Sequence, residues 1–106
     1  MSYFLCRLIA SRPSFPADMT PAERETMQKH AAYWRELLAQ EKAIAFGPVA
    51  DPKGVWGLGI VNVRDEQELG ELLARDPALA IGMRWETLPM LNLVYGGKPG
   101  SAAVEK

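Results

Sequence analysis

The single histidine of the chain, His30, is the residue best suited to acid–base chemistry. Apolar residues recur around it at three- and four-residue spacing, which predicts that it lies on the inward face of a helix. Asp76 continues the leucine spacing of a later segment and is also predicted to point inward. A carboxylate inside a protein is costly unless it is paired or hydrogen-bonded, and a nearby imidazole would supply that partner.

Together the two side chains would form a general acid–base pair. The carboxylate would fix the imidazole tautomer and leave the second ring nitrogen free near neutral pH. A positioned group of this kind contributes about 10²–10⁴ in rate. Such a pair suits proton abstraction next to a carbonyl, isomerisation, or elimination of HX.

Structural explanations compete with this interpretation for both residues. Asp76 precedes Pro77 and is suited to cap a short helical turn over Pro77 to Ile81. A histidine among apolar neighbours is often a hydrogen-bonded core residue. The sequence leaves both roles open, although inward titratable pairs concentrate at functional sites.

Five further residues are candidates for contacting a substrate, namely Arg7, Trp34, Gly47, Pro48 and Trp56. The tryptophans could line an aromatic pocket, as could Trp85, but aromatic residues at helical or strand spacing usually belong to a core. Arg7 could hold a substrate carboxylate or extend its charge into solvent at an interface. The Gly-Pro pair could shape a pocket wall or simply end a strand.

The chemistry-bearing residues do not form a metal or phosphate motif. One histidine and one cysteine far apart in sequence lack the spacing of a metal site. Phosphate-binding loops and nucleophile elbows are also absent from the sequence. We therefore expect no metal and no other cofactor.

Composition narrows the class of protein. The 106 residues, 48% hydrophobic and 24% charged, fit one globular domain. A net charge of −1 without a Lys/Arg cluster argues against nucleic acid as a partner. Neither a signal peptide nor an apolar stretch of the ~20 residues that span a membrane is present, so no membrane association is expected. Cys6 stands alone in an apolar run and is expected to be an inert core residue of a cytoplasmic protein.

Hydrophobic periodicity and turn residues predict the order βαββαβ. A capping box at Thr20 and Glu23 marks the start of the first helix, and a similar signature at Asp65 marks the second. The helices are predicted to end near Glu41 and Arg75. The predicted strands are Tyr3 to Ile9, Ala43 to Phe46, Val55 to Val63 and Met83 to Leu88.

This order predicts an α+β, ferredoxin-like domain, with an antiparallel sheet and both helices on one face. The first and third strands are apolar on both sides, so the second sheet face would be bare. Soluble monomers rarely expose an apolar face of that kind, and a second copy of the chain is its simplest cover. We therefore expect a homodimer, with a domain over residues 1–95 and a flexible tail over 96–106.

The layout also predicts that His30 and Asp76 meet. The two helices should run antiparallel, with His30 eleven residues before Glu41 and Asp76 eleven after Asp65. At ~1.5 Å per residue each side chain lies ~16 Å from the same edge of the sheet. Packed helix axes are ~8–10 Å apart, so the two residues can share one site.

Several of these features resemble the YCII-related proteins. They are His30 in the middle of the first helix, Gly47-Pro48 ending the second strand, and Asp76-Pro77 followed by Gly82, within Tyr3 to Met90. The resemblance implies a dimeric α+β barrel and a His/Asp pair proposed as an active site. One relative is described as a dehydrochlorinase, and the fold is similar to that of muconolactone isomerases. The segment Ser11 to Asp18 and the part after Asn92 look longer here than in short bacterial members.

Three functions follow from these observations. The leading hypothesis is a small cytoplasmic enzyme of lyase or isomerase type, with His30 as base and Asp76 as its orienting partner, acting on a small cyclic or aromatic carbonyl compound. The alternative is a non-catalytic dimeric module that binds a small molecule or a protein through the same cleft. The third is a haem or oxygen-chemistry protein with His30 as the ligand.

Overall fold

The computed structural model describes residues 1–96 and contains the predicted order of elements. The strands are β1 (Ser2–Ile9), β2 (Ala43–Val49), β3 (Trp56–Val63) and β4 (Arg84–Pro89). The helices are α1 (Pro21–Ala39) and α2 (Glu66–Ala74), and a 3₁₀ turn, Pro77–Ile81, precedes β4. The predicted tail, 96–106, lies outside the described residues except for its first residue.

Local hydrogen bonds explain where the helices begin. The Thr20 hydroxyl accepts from the backbone N–H of Glu23 at 3.1 Å, and the Glu23 carboxylate accepts from the backbone N–H of Thr20 at 2.9 Å. This is the capping box that the sequence predicts. The Asp65 carboxylate caps α2 by accepting from the backbone N–H of Glu68 at 2.9 Å.

The four strands form one antiparallel sheet in the order β2-β3-β1-β4. Alternate residues of β1 and β3, including Phe4, Cys6 and Val61, are buried against α1 and α2 in one core. Both helices therefore cover the same face, which confirms the predicted α+β, ferredoxin-like fold. None of the helices in residues 1–96 is long and apolar enough to cross a membrane.

Cys6 lies at the centre of this core and is fully buried. It belongs to a cluster of buried apolar side chains that includes Phe4, Trp34 and Val61. Burial raises the pKa of the Cys6 thiol to about 12. The prediction of an inert core cysteine agrees with this placement.

The opposite sheet face, which we call the open face, is covered by neither helix. Leu5, Ile9, Leu58 and Ile60 project from it at alternate positions of β1 and β3, and each is partly exposed. On the neighbouring β4, Leu88 is 57% exposed. The chain thus presents a contiguous apolar surface on this side.

The second strand is longer than predicted. The sequence predicts that Gly47 and Pro48 end it, but both lie inside β2, paired with Leu58 and Gly57 of β3. β2 is an edge strand with a partner on one side only. A proline, which has no backbone N–H to donate, is tolerated in that position.

Candidate functional site

The structure brings His30 and Asp76 together, as predicted, although Asp76 lies past the end of α2, at the N-cap of the 3₁₀ turn. His30 Nδ1 lies 2.9 Å from each carboxylate oxygen of Asp76. The Asp76 side chain is fully buried, whereas 14% of the His30 side chain is exposed. The carboxylate of the pair is therefore closed to solvent, whereas the imidazole is partly accessible.

Two further donors hold the Asp76 carboxylate. The indole Nε1 of Trp34 donates to Oδ2 at 2.8 Å, and the backbone N–H of Ala78 donates to Oδ1 at 2.9 Å. The bond to Ala78 caps the 3₁₀ turn, so the capping role and the pairing with His30 are both present. Each oxygen already accepts an N–H, and an ionised carboxylate only accepts, so His30 Nδ1 carries the proton.

Trp34 occupies a different place from the predicted one. It is 1% exposed, is packed in the core and does not line the cavity described below. Its ring lies over Gly59 of β3, where an added Cβ would come within 2.5 Å of the indole. Trp34 therefore holds the Asp76 carboxylate from the core side and is not part of the cavity wall.

A cavity of about 310 Å³ adjoins His30 on the helix-covered side of the sheet. Its wall combines three methionines, Met19, Met27 and Met83, with four aromatic residues, Phe15, Phe46, Trp56 and Trp85. Ligand pockets commonly have about this size and this apolar character, with few polar groups. The accessible end of the acid–base pair thus faces an apolar chamber.

The remaining predicted binding residues divide between two sides of the sheet. Gly47 and Pro48 belong to the cavity wall, so the geometry allows their predicted contact with a substrate, and Trp56 borders the cavity at the start of β3, with its ring against Arg7 of the open face. Arg7 does not line this cavity. It projects from the open face, where its guanidinium donates to Glu86 at 3.1 Å and lies 4.6 Å from the centre of the Trp56 ring.

The sequence prediction missed the residues that close the cavity from the loop between β1 and α1. Phe15 is 9% exposed and packs against Met83 and Leu8, and Met19 packs on the same cluster. Loop residues follow no helical or strand period, so periodicity could not place them. The available signal was the presence of two large apolar side chains in a segment that prolines marked as a loop.

Arg12 fastens this loop to the start of α1. Its guanidinium makes two bonds of 2.7 Å to the Glu23 carboxylate and further bonds to Asp18. The bonds from Arg12, together with that from the Thr20 backbone, lower the pKa of Glu23 to about 2. The loop that carries Phe15 is therefore held by an ionic contact throughout the neutral pH range.

The site can move a proton. With Nδ1–H donating to Asp76, the second nitrogen of His30, Nε2, carries a lone pair, and it has no hydrogen-bond partner among residues 1–96. The same residues contain no group of three or more His, Cys, Asp or Glu side chains that could hold a metal ion. A lone pair at Nε2 beside the cavity can accept a proton from a bound molecule and return it.

The fold and the site define a class, namely a ferredoxin-like α+β domain with a partly buried histidine–carboxylate pair beside an apolar cavity. The family profile of the YCII-related domain matches residues 3–90. The chain belongs to the YCII-related family. A search of curated proteins found no match.

Proposed function

We propose that this chain is a small enzyme of lyase or isomerase type that acts on a small cyclic or aromatic carbonyl compound, with His30 as general base and Asp76 as its orienting partner. The observation that carries the proposal is the fixed His30–Asp76 pair at the wall of an apolar cavity. Low polarity around a base strengthens its interaction with developing charge, because water does not screen it. The free, buried thiol of Cys6 fits a reducing compartment, and we propose a cytoplasmic location.

The proposed reaction begins when His30 Nε2 removes a proton from the carbon next to the carbonyl. The C–H electron pair moves into an enolate, and the imidazolium that forms is stabilised by the Asp76 carboxylate. An isomerase returns the proton from Nε2 to a different carbon. A lyase instead expels a leaving group from the β-carbon, and the proton departs with the product acid HX.

Proton exchange tests this proposal without knowledge of the natural substrate. We expect the protein to accelerate the exchange of the α-protons of 2-indanone in D₂O, followed by NMR, and His30→Gln to slow the catalysed exchange by about 10²-fold. Lys29→Gln, which changes an exposed neighbour on α1, serves as the control and keeps the wild-type rate. If 2-indanone binds but wild type and His30→Gln exchange it equally slowly, the base role is wrong and a non-catalytic binding module is favoured.

We also propose that two copies pair through the open face. Leu58, Ile60 and Leu88 leave an apolar surface there that soluble monomers rarely expose, and Leu91 and Val94, which follow β4, are almost wholly exposed as well. A homodimer would bury this surface.

Light scattering coupled to size exclusion at micromolar concentration is expected to give twice the mass of one chain. Ile60→Lys, which places a charge on the open face, should give a monomer. Gln67→Lys, on the exposed surface of α2, should leave the dimer intact. A monomer mass for the unaltered chain would contradict this proposal and would leave the apolar face without a cover.

A further inference from the structure

We propose that the cavity selects uncharged ring compounds that present one weakly acidic O–H or C–H to His30, and that it rejects carboxylates and phosphates. The inference rests on the proposed function in placing the ligand at this cavity, and it names the ligand class. Of the sixteen residues in the wall, His30 is the only one with a titratable side chain. A ligand inside the cavity therefore meets no lysine or arginine from residues 1–96.

The acid–base pair adds negative charge to the site. With Nδ1–H donating to the Asp76 carboxylate, the pair carries a net charge of −1 while His30 is neutral. The three donors that surround Asp76 are already used, so none of them is free for an anion. A carboxylate in the cavity would be desolvated and would lie close to a second carboxylate, which is unfavourable on both counts.

The nearby cations are engaged elsewhere. Arg12, at the loop beside Phe15, is held by Glu23 and Asp18, and Arg7 is held by Glu86 on the open face. Lys53 lies in the adjoining groove, but its side chain is exposed, and water screens a charge there. The charged group in direct contact with the His30 ring is therefore the Asp76 carboxylate, while Arg75, the preceding residue along the chain, has an exposed side chain.

The polar atoms of the wall favour a particular kind of ligand group. In the neutral imidazole, Nε2 of His30 is an acceptor, so it pairs with a ligand donor, which an anion does not offer. An acceptor in an otherwise apolar wall matches the O–H of a phenol or enol, or the weakly acidic C–H of a ring ketone.

Two ligands that share a ring system test the inference. We expect 2-naphthol to bind at least about tenfold more tightly than 2-naphthoate in isothermal titration calorimetry at pH 7. A tenfold ratio of dissociation constants corresponds to about 1.4 kcal/mol. Met27→Lys places a cation in the wall and should reduce or reverse the preference, whereas Met27→Gln, without a charge, should keep it. Equal or tighter binding of 2-naphthoate by the unaltered protein overturns the inference.

The two proposals fail in different ways. If naphthol is preferred but 2-indanone is bound without exchange, the ligand class holds and the acid–base function does not. If exchange depends on His30 but naphthoate binds as well as naphthol, the function holds and the ligand class is wrong. His30→Gln separates the readouts further, because it removes the base while leaving the cavity wall free of cations.

Discussion

Asp76→Ala is expected to lower the free energy of unfolding by about 3–5 kcal/mol, the range for removing one partner of a buried charged pair. The change leaves three donors without their acceptor, on His30, Trp34 and the backbone of Ala78. Each unsatisfied buried group costs about 1–3 kcal/mol. Since small domains are stable by only about 5–15 kcal/mol, the loss should be plain in urea denaturation.

A matched variant separates the capping role of Asp76 from its other bonds. Asp65 is also a helix-capping aspartate, but it accepts a single backbone bond at an exposed position. Asp65→Ala should therefore cost about 1 kcal/mol. Equal losses for the two alanine variants would show that Asp76 is only a cap. Asp76→Asn keeps the size of the side chain and should fall between them, because an amide cannot accept all three bonds.

Gly59→Ala is expected to destabilise the fold by about 3 kcal/mol, which is large for the addition of one methyl group. The new Cβ would lie 2.5 Å from one carbon of the Trp34 ring and 2.9 Å from another. The ring cannot retreat easily, because it packs against Trp85 at 5.6 Å between centroids and donates to Asp76. Urea denaturation of the variant beside the unaltered chain measures the loss.

Gly47→Ala provides the comparison for this prediction. Gly47 also lies in a strand, yet an added Cβ there meets nothing within 4 Å. Its replacement should change the free energy of unfolding by less than about 1 kcal/mol. If Gly59→Ala is equally mild, the close approach of Trp34 to the sheet is not a constraint on the fold.

Much of this architecture was predictable because its signals are local. The capping box at Thr20 and the cap at Asp65 fix the helix starts, and the apolar stripes fix which helix faces are inward. The meeting of His30 and Asp76 is predicted from equal distances along antiparallel helices, whereas in the structure Asp76 lies two residues beyond α2 and reaches His30 from the cap of the 3₁₀ turn.

The incorrect and missing predictions concern relations across the sheet. Pro48 is compatible with a strand because β2 is at the edge, and sequence order alone did not identify that edge. Trp34 is a candidate in the sequence for contacting a substrate, with a core position as the competing interpretation, and nothing there indicates that its indole bonds to a carboxylate 42 positions away. The closure of the cavity by Phe15 depends on a loop conformation fixed by Arg12, for which the sequence offers no period.

The burial of Cys6 makes its thiol a chemical probe for opening of the folded chain. The only thiol in the sequence is wholly covered, and a thiol with a pKa of about 12 forms almost no thiolate at neutral pH. A sulfhydryl reagent therefore reacts only with chains in which sheet and helices have separated. The labelling rate of Cys6 consequently measures how often the folded chain visits such open states under native conditions.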